Sequence, residues 1–477
     1  MLRKRFFHIP IFHTHREDFE KKVSWLELFY DLVYVAAFIQ LGDSFSKDVS
    51  TINFLKSAGI FLSMWLSWTG FTYYANRFTV DDVLHRTLVI LKMFCVGAMA
   101  ISIPKLLQGD PFGYGLSYAC SLFIIALLYF RSFFQQKTAQ DYSLYWGGAF
   151  SLSALFWISS LFYENYTWGW FAGCLVIFIA PCTRKGRSFN ELYPFDFDHL
   201  FERYGLLTII VLGESFVKVL SFFSTSAAGM TEIFQASFAL MLTCSIWWIY
   251  FDDIANSTLK NKNSVTSMII WLFAHLPLQF AIVLMGVGVK KVAAFPAQST
   301  IDLKYSLLLG GSIGVMLLCA AVIDSVTERK NSELNESTRI NSRVFAGILI
   351  LLIAFIAPSM TNLWFIGGCL FVCLFQVVFD IFFSPYEFKE SESLLTSFEF
   401  SQKKVHDEQD KAEKSMGLEI IRKGLPNNLK KDLYFYFMDA SWWHLFFALF
   451  FIYILSNKIT KNLILTIMLE LKRHIQR

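Results

Sequence analysis

The chain is 477 residues long, 55% hydrophobic, 18% aromatic and 17% charged, with a mean hydropathy of +0.47 and a formal net charge of +4. That balance excludes a soluble globule and describes an all-α, polytopic membrane protein whose first partner is the lipid bilayer. The small net charge, with no dense basic block, argues against a nucleic-acid partner.

Residues 1–24 read as a cytoplasmic basic tail. Arg3, Lys4 and Arg5 are followed by Pro10 and a charged run from Arg16 to Lys22, which is not the pattern of a cleavable leader. His8, His13 and His15 fall in this tail and read as part of it, not as a metal site. A spanning helix needs about twenty mainly apolar residues. Twelve stretches qualify: 25–41, 54–74, 84–103, 114–130, 144–162, 168–181, 206–223, 233–251, 265–289, 306–323, 344–357 and 364–383.

Loop charge supports twelve spans with both ends of the bundle inside. The loops assigned inward carry Arg77, Arg86, Arg131, Lys137, Arg184, Lys185, Arg187 and Arg203, and later Lys260, Lys262, Arg329, Lys330, Arg339 and Arg343. Those assigned outward carry only Lys47, Lys105, Lys290, Lys291 and Lys304. This asymmetry is the positive-inside pattern. Residues 384–439 then turn charged, with a break at Gly424-Leu425-Pro426, and read as a cytoplasmic helical or partly disordered segment able to contact a cytoplasmic partner. A further apolar stretch, 440–455, lies within a C-terminal region, 440–477, that is either a hydrophobic or an interfacial helix.

Two stretches align without gaps: YDLVYVAAFIQLGDSF at 30–45 and FERYGLLTIIVLGESF at 201–216. The helices that follow echo each other, Trp68, Phe71, Ala75 and Asn76 matching Trp248, Phe251, Ala255 and Asn256 in spacing. The pattern predicts two parallel six-helix halves, 25–182 and 206–383, joined by a cytoplasmic linker at 183–205 that includes an amphipathic lead-in. Such architectures place substrate between the halves near mid-depth.

Ionisable groups at membrane depth are costly unless paired or hydrated, and so mark candidate sites. Glu27 and Asp31 lie four apart on the first span, and Lys92, mid-way along the third, is the expected partner. Asp82 and Arg86 have the spacing of a helical ion pair, with Asn76 and Arg77 just upstream and His85 between them as a candidate proton carrier. Asp81 and Asp82 also stand at a helix N-terminus, where the dipole favours acids and a capping and orientation role is expected. His199, Glu202 and Arg203 open the seventh span. Glu214 and Lys218 follow within it, either as a helix-locking pair or as part of a pathway. His275 precedes Pro277, which frees a backbone carbonyl. The eight cysteines form no CxxC or zinc spacing and read as small core residues. No phosphate loop, HExxH, GxSxG or dinucleotide fingerprint occurs, so no metal or cofactor is expected and an enzyme ranks last among the readings.

Several stretches together resemble the bacterial low temperature requirement protein A family: WLELFYDLVYVAAFIQL at 25–41, GFTYYANRF at 70–78, DDVLHR at 81–86, ERYGLLTIIVLGES at 202–215, WWIYFDD at 247–253 and HLPL at 275–278. The resemblance implies a multi-pass protein of the bacterial inner membrane, associated with growth in the cold. It assigns no catalytic or ligand residue. The residues themselves favour a secondary transporter or proton-linked ion pathway using buried acids. The rival reading is a non-catalytic membrane sensor or scaffold whose charges hold helices together.

Overall fold

The computed structural model describes residues 8–13, 23–193, 195–225, 229–251, 258–261, 264–328 and 336–383. Asp252 and Asp253, and everything after residue 383, lie outside the described residues. In chain order the helices are α1 (Trp25–Lys47), α2 (Thr51–Arg77), α3 (Val83–Leu107), α4 (Phe112–Gln135), α5 (Gln140–Ser160), α6 (Thr167–Ile179), α7 (Arg184–Leu192), α8 (Phe197–Thr225), α9 (Met230–Phe251), α10 (Val265–Ala293), α11 (Leu303–Val326), α12 (Glu336–Ile356) and α13 (Asn362–Phe383).

A helix therefore falls on each of the twelve apolar stretches, and among the described residues eight helices are long and apolar enough to cross a membrane. The helices outrun the apolar sequence because polar residues at their ends find partners. Ser24 accepts from the backbone N–H of Glu27 while Glu27 accepts from that of Ser24, a capping box that starts α1 at Trp25. Asp82 caps α3 through the N–H of His85 at 2.8 Å. Asp196 accepts from His199 at 3.1 Å, so α8 begins well before its apolar run. The linker expected at 183–205 contains α7, which is capped by Thr183.

Two short antiparallel ladders add to the all-α expectation. β1 (Ile11–Phe12) pairs with β2 (Phe78–Thr79), and β3 (Thr258–Leu259) pairs with β4 (Thr327–Glu328). Short connections make successive long helices antiparallel. One face of the bundle thus carries the start of α1, the end of α2, α7, the start of α8 and both ladders. This is the basic face, and the other is the opposite face.

The packing order repeats along the chain. α1 packs on α3, α3 on α4, α4 on α5 and α5 on α6; likewise α8 packs on α10, α10 on α11, α11 on α12 and α12 on α13. Between these groups, α1 and α2 each pack against both α8 and α10. The core at that junction is aromatic, with Trp65, Trp68 and Trp271 fully buried. Packing against the glycines there is tight: a Cβ on Gly42 would lie 3.3 Å from Lys218 Nζ, and one on Gly286 only 2.6 Å from Ser215 Oγ and 3.4 Å from Ser215 Cα.

Candidate functional site

Polar groups stack in three layers where α1 and α2 meet α8 and α10. The first lies near the basic face. Arg203 reaches from α8 to Asp31 on α1 at 2.6 Å, both side chains fully buried, and to Glu27 at 3.4 Å. Trp68 Nε1 donates to the same Asp31 oxygen at 2.7 Å. His199 Nε2 lies 3.5 Å from Glu27. Its Nδ1 is 3.2 Å from the Asn76 amide, which also donates to the Asp196 carbonyl at 2.8 Å. The helical spacing of Glu27 and Asp31 aims both carboxylates at one guanidinium, which offsets their mutual repulsion.

The middle layer has no formal charge. Trp65 Nε1 donates to Gln279 Oε1 at 2.9 Å, and the Gln279 amide donates to Thr208 Oγ1 at 3.1 Å. Thr208 approaches Tyr250 at 3.4 Å, and Tyr250 meets His275 Nε2 at 3.1 Å. His275 Nδ1 lies 2.7 Å from the Trp271 carbonyl, so it donates there and Nε2 accepts from Tyr250. The histidine bonds the carbonyl four residues back from itself, not the carbonyl freed by Pro277. Both ring nitrogens are thereby used.

The third layer lies near the opposite face. Lys218 sits 3.8 Å from Glu214 and 3.5 Å from Asp43, and Lys290 lies 3.9 Å from Asp43. Lys218 is buried while Asp43 and Lys290 remain about half exposed, at 43% and 45%. Asp43 and Glu214 are the equivalent acids of the repeated LG-acid-SF motif, and both come to one lysine. A small gap beside them is lined by Val35, Phe38, Val211, Ser215 and Val283. At about 1.5 Å per residue, Arg203, Thr208 and Glu214 stand roughly 8 and 9 Å apart along α8.

Three sequence expectations are corrected. Lys92 does not pair with Glu27 or Asp31. It is buried among neutral hydroxyls, 3.1 Å from Tyr34, 2.7 Å from Ser67 and 2.6 Å from Ser121, because it faces α1, α2 and α4 within its own helix group. Asp82 and Arg86 do not pair either. Capping turns Asp82 inward to Arg131 (Nη1 to Oδ1, 3.1 Å), and Arg86 pairs on the surface with Asp81 at 2.6 Å. Glu214, expected as a buried acid, is only partly buried and stands near the opposite face, although it does pair with Lys218 as their spacing predicts.

The remaining candidates are dispersed. Glu202 is exposed beside Arg203. Arg77 is buried, bonded to the Tyr193 carbonyl and to Asn190 Oδ1 at 2.9 Å, with its guanidinium 3.5 Å from the Phe195 ring centre. His85 stacks on Tyr74. Burial raises the carboxyl pKa of Asp82. Hydrogen bonds from Arg131 and from the N–H groups of His85 and His8 outweigh that and hold it below the ordinary carboxylate range.

Asp43, Trp68, Thr208 and Gln279 are layer residues that the candidates from sequence omit. The repeat itself points to Asp43, and Thr208 and Gln279 stand out only as polar residues inside apolar runs. A separate buried cluster joins acids not among the candidates from sequence: Asp324 of α11 pairs with Arg343 and, at 3.5 Å, with Arg339 of α12, and Arg343 lies 3.8 Å from Asp380 of α13. Among the described residues no group of His, Cys, Asp and Glu has the arrangement of a metal site.

Residues 22–379 match the family model described as bacterial low temperature requirement A protein. An uncharacterized protein of Rhizobium meliloti (strain 1021) is 27% identical over 304 residues, covering 60% of this chain and 74% of that one. No solved structure matches.

Proposed function

The chain belongs to the bacterial low temperature requirement A family, its apolar helices make it a membrane protein, and we propose that it is a secondary transporter or proton-linked ion pathway. One observation carries this reading: three polar layers lie one above another at the junction of the two helix groups, with an ionisable layer at each end, buried near the basic face and partly exposed near the opposite face. Twelve spans in two parallel halves, with the N-terminus inside the inner membrane, complete the proposal. The repeated sequence and the repeated packing order support it.

In this reading Asp31 is the acid of the basic face and Glu214, with Asp43, that of the opposite face. A proton on Asp31 removes the nearer of the two carboxylate charges that hold Arg203, and the hold of α1 on α8 is weakened on that side. A proton or small cation at Glu214 loosens Lys218 in the same way. Ion pairs that form and break at opposite ends of one junction would give each side access in turn. Substrate binding in the middle layer would be linked to protonation by the shared helices.

The test is proton flux into liposomes holding the purified full chain, with a trapped pH dye under an imposed potential. Asp31→Asn keeps acceptors for Trp68 and Arg203 but cannot lose a proton. Flux in the wild type should fall at least tenfold in this variant, with folding retained. Equal flux in the two proteins would refute the role given to Asp31. A scaffold, by contrast, would depend on residues 384–477, whose removal should leave transport unchanged.

A further inference from the structure

A site of another kind lies on the outer side of the first helix group, between α5 and α6. An apolar groove of about 520 Å³ opens there, within the range of ligand clefts, roughly 300–1,000 Å³. Tyr145 and Thr183 stand at its mouth near the basic face, and Gly148, Leu152, Ala172 and Val176 line it. The space beside Gly148 is open: a Cβ added there meets no heavy atom within 4 Å. The surrounding side chains include Leu155 and Phe171, exposed by 62% and 61%, so the groove faces hydrocarbon rather than water.

The mouth has the opposite character. α6 has only 13 residues, about 20 Å against a hydrocarbon core of roughly 30 Å. Its short length draws the start of α7 down towards headgroup depth. The Tyr145 hydroxyl fixes that corner through the Ala180 carbonyl at 2.8 Å and the Thr183 hydroxyl at 2.6 Å. α7 turns Phe189 inward and leaves Arg184, Lys185 and Arg187 exposed. Lys185 Nζ stands 5.9 Å from the Tyr145 ring centre, directly beside the mouth. None of these three cations is in an ion pair among the described residues.

We infer that the α5–α6 groove, with Arg184 and Lys185 at its mouth, binds one anionic glycerophospholipid of the leaflet on the basic face. An acyl chain fills the space beside Gly148, and the phosphate meets the two cations. The chemistry is complementary at both ends of the ligand, since hydrocarbon fits the groove and a basic rim attracts an anionic headgroup. A zwitterionic lipid offers the same chains but no net charge to that rim.

The experiment uses the full-length protein in detergent micelles, titrated with dioleoylphosphatidylglycerol or with dioleoylphosphatidylcholine, and reads bound lipid by native mass spectrometry and unfolding temperature. Phosphatidylglycerol should give a retained one-lipid species and a raised unfolding temperature, and phosphatidylcholine should give neither. Lys185→Ala keeps the groove and should weaken phosphatidylglycerol binding by about fivefold. Gly148→Trp keeps every charge but fills the groove, and should abolish the retained lipid while the lipid-free unfolding temperature stays near that of Gly148→Ala. Unchanged binding in Gly148→Trp would reduce the effect to surface charge and overturn the inference. Equal binding of the two lipids would overturn it as well. So would a change in oligomeric mass on filling the groove, which would assign this face to a second copy of the chain.

Discussion

The two ionisable layers on α1 and α8 use the same pair of helices and are built differently. Near the basic face, Asp31 and Arg203 are wholly buried, 2.6 Å apart, and backed by Trp68, Glu27 and His199. Near the opposite face the separations are 3.5–3.9 Å, and Asp43 and Lys290 still reach solvent. A dry pair is costly to break, because the remaining partner is left as an uncompensated buried charge. A wet pair is screened and contributes little to stability. One junction therefore has a firm end and a loose end. In the transport reading, the basic face is closed in this conformation and the opposite face is the nearer to opening.

The largest expected effect follows from removing the cation of the firm end. Arg203→Met leaves Asp31 and Glu27 without their guanidinium and should cost about 3–5 kcal/mol, seen as a large fall in unfolding temperature in detergent. Combining it with Asp31→Asn should recover part of that loss. A single variant as stable as the wild type would erase the contrast between the ends.

The Asp324–Arg343 cluster provides a second firm pair, placed away from the α1–α8 junction. Asp324→Asn should cost about 3 kcal/mol and yet leave proton flux per folded molecule unchanged. Loss of flux without loss of stability would move the pathway into α11 to α13.

Asp82→Asn keeps the helix cap and removes the charge that faces Arg131. The expected loss is about 2 kcal/mol at neutral pH. The pKa of Asp82 is lower when folded than unfolded, so its contribution is fully present above the unfolded value, about 3.9. It is lost as pH falls through the depressed folded value. Acid-unfolding curves of variant and wild type should therefore converge at low pH and diverge above about pH 4.

Much of this organisation is legible in the sequence, and the limit is set by sequence separation. Apolar length located a helix over each of the twelve stretches up to residue 383, while the exact starts of α1 and α3 are set by the Ser24–Glu27 capping box and the Asp82 cap. The repeat brought out Asp31 and Glu214, and it held the signal for Asp43 too. It failed at Glu202, the repeat partner of Asp31, which faces outward while its neighbour Arg203 turns in. Tertiary partners were not legible. Arg131 lies 49 residues from Asp82, and Lys92 found hydroxyls on three other helices because helix rotation, not composition, decides what a buried amine faces. Asp324 and Asp380 stand at the ends of apolar runs, where an acid reads as a water boundary until α12 places arginines between them.

The most direct test of the pathway lies at the loose end. Proton flux in liposomes and unfolding temperature should be measured on the same preparations of wild type and Glu214→Gln. The account predicts that flux falls at least tenfold while stability changes by less than about 1 kcal/mol. Undiminished flux in the variant, or lost flux that merely tracks lost folded protein, would contradict it and leave these layers as locks between helices.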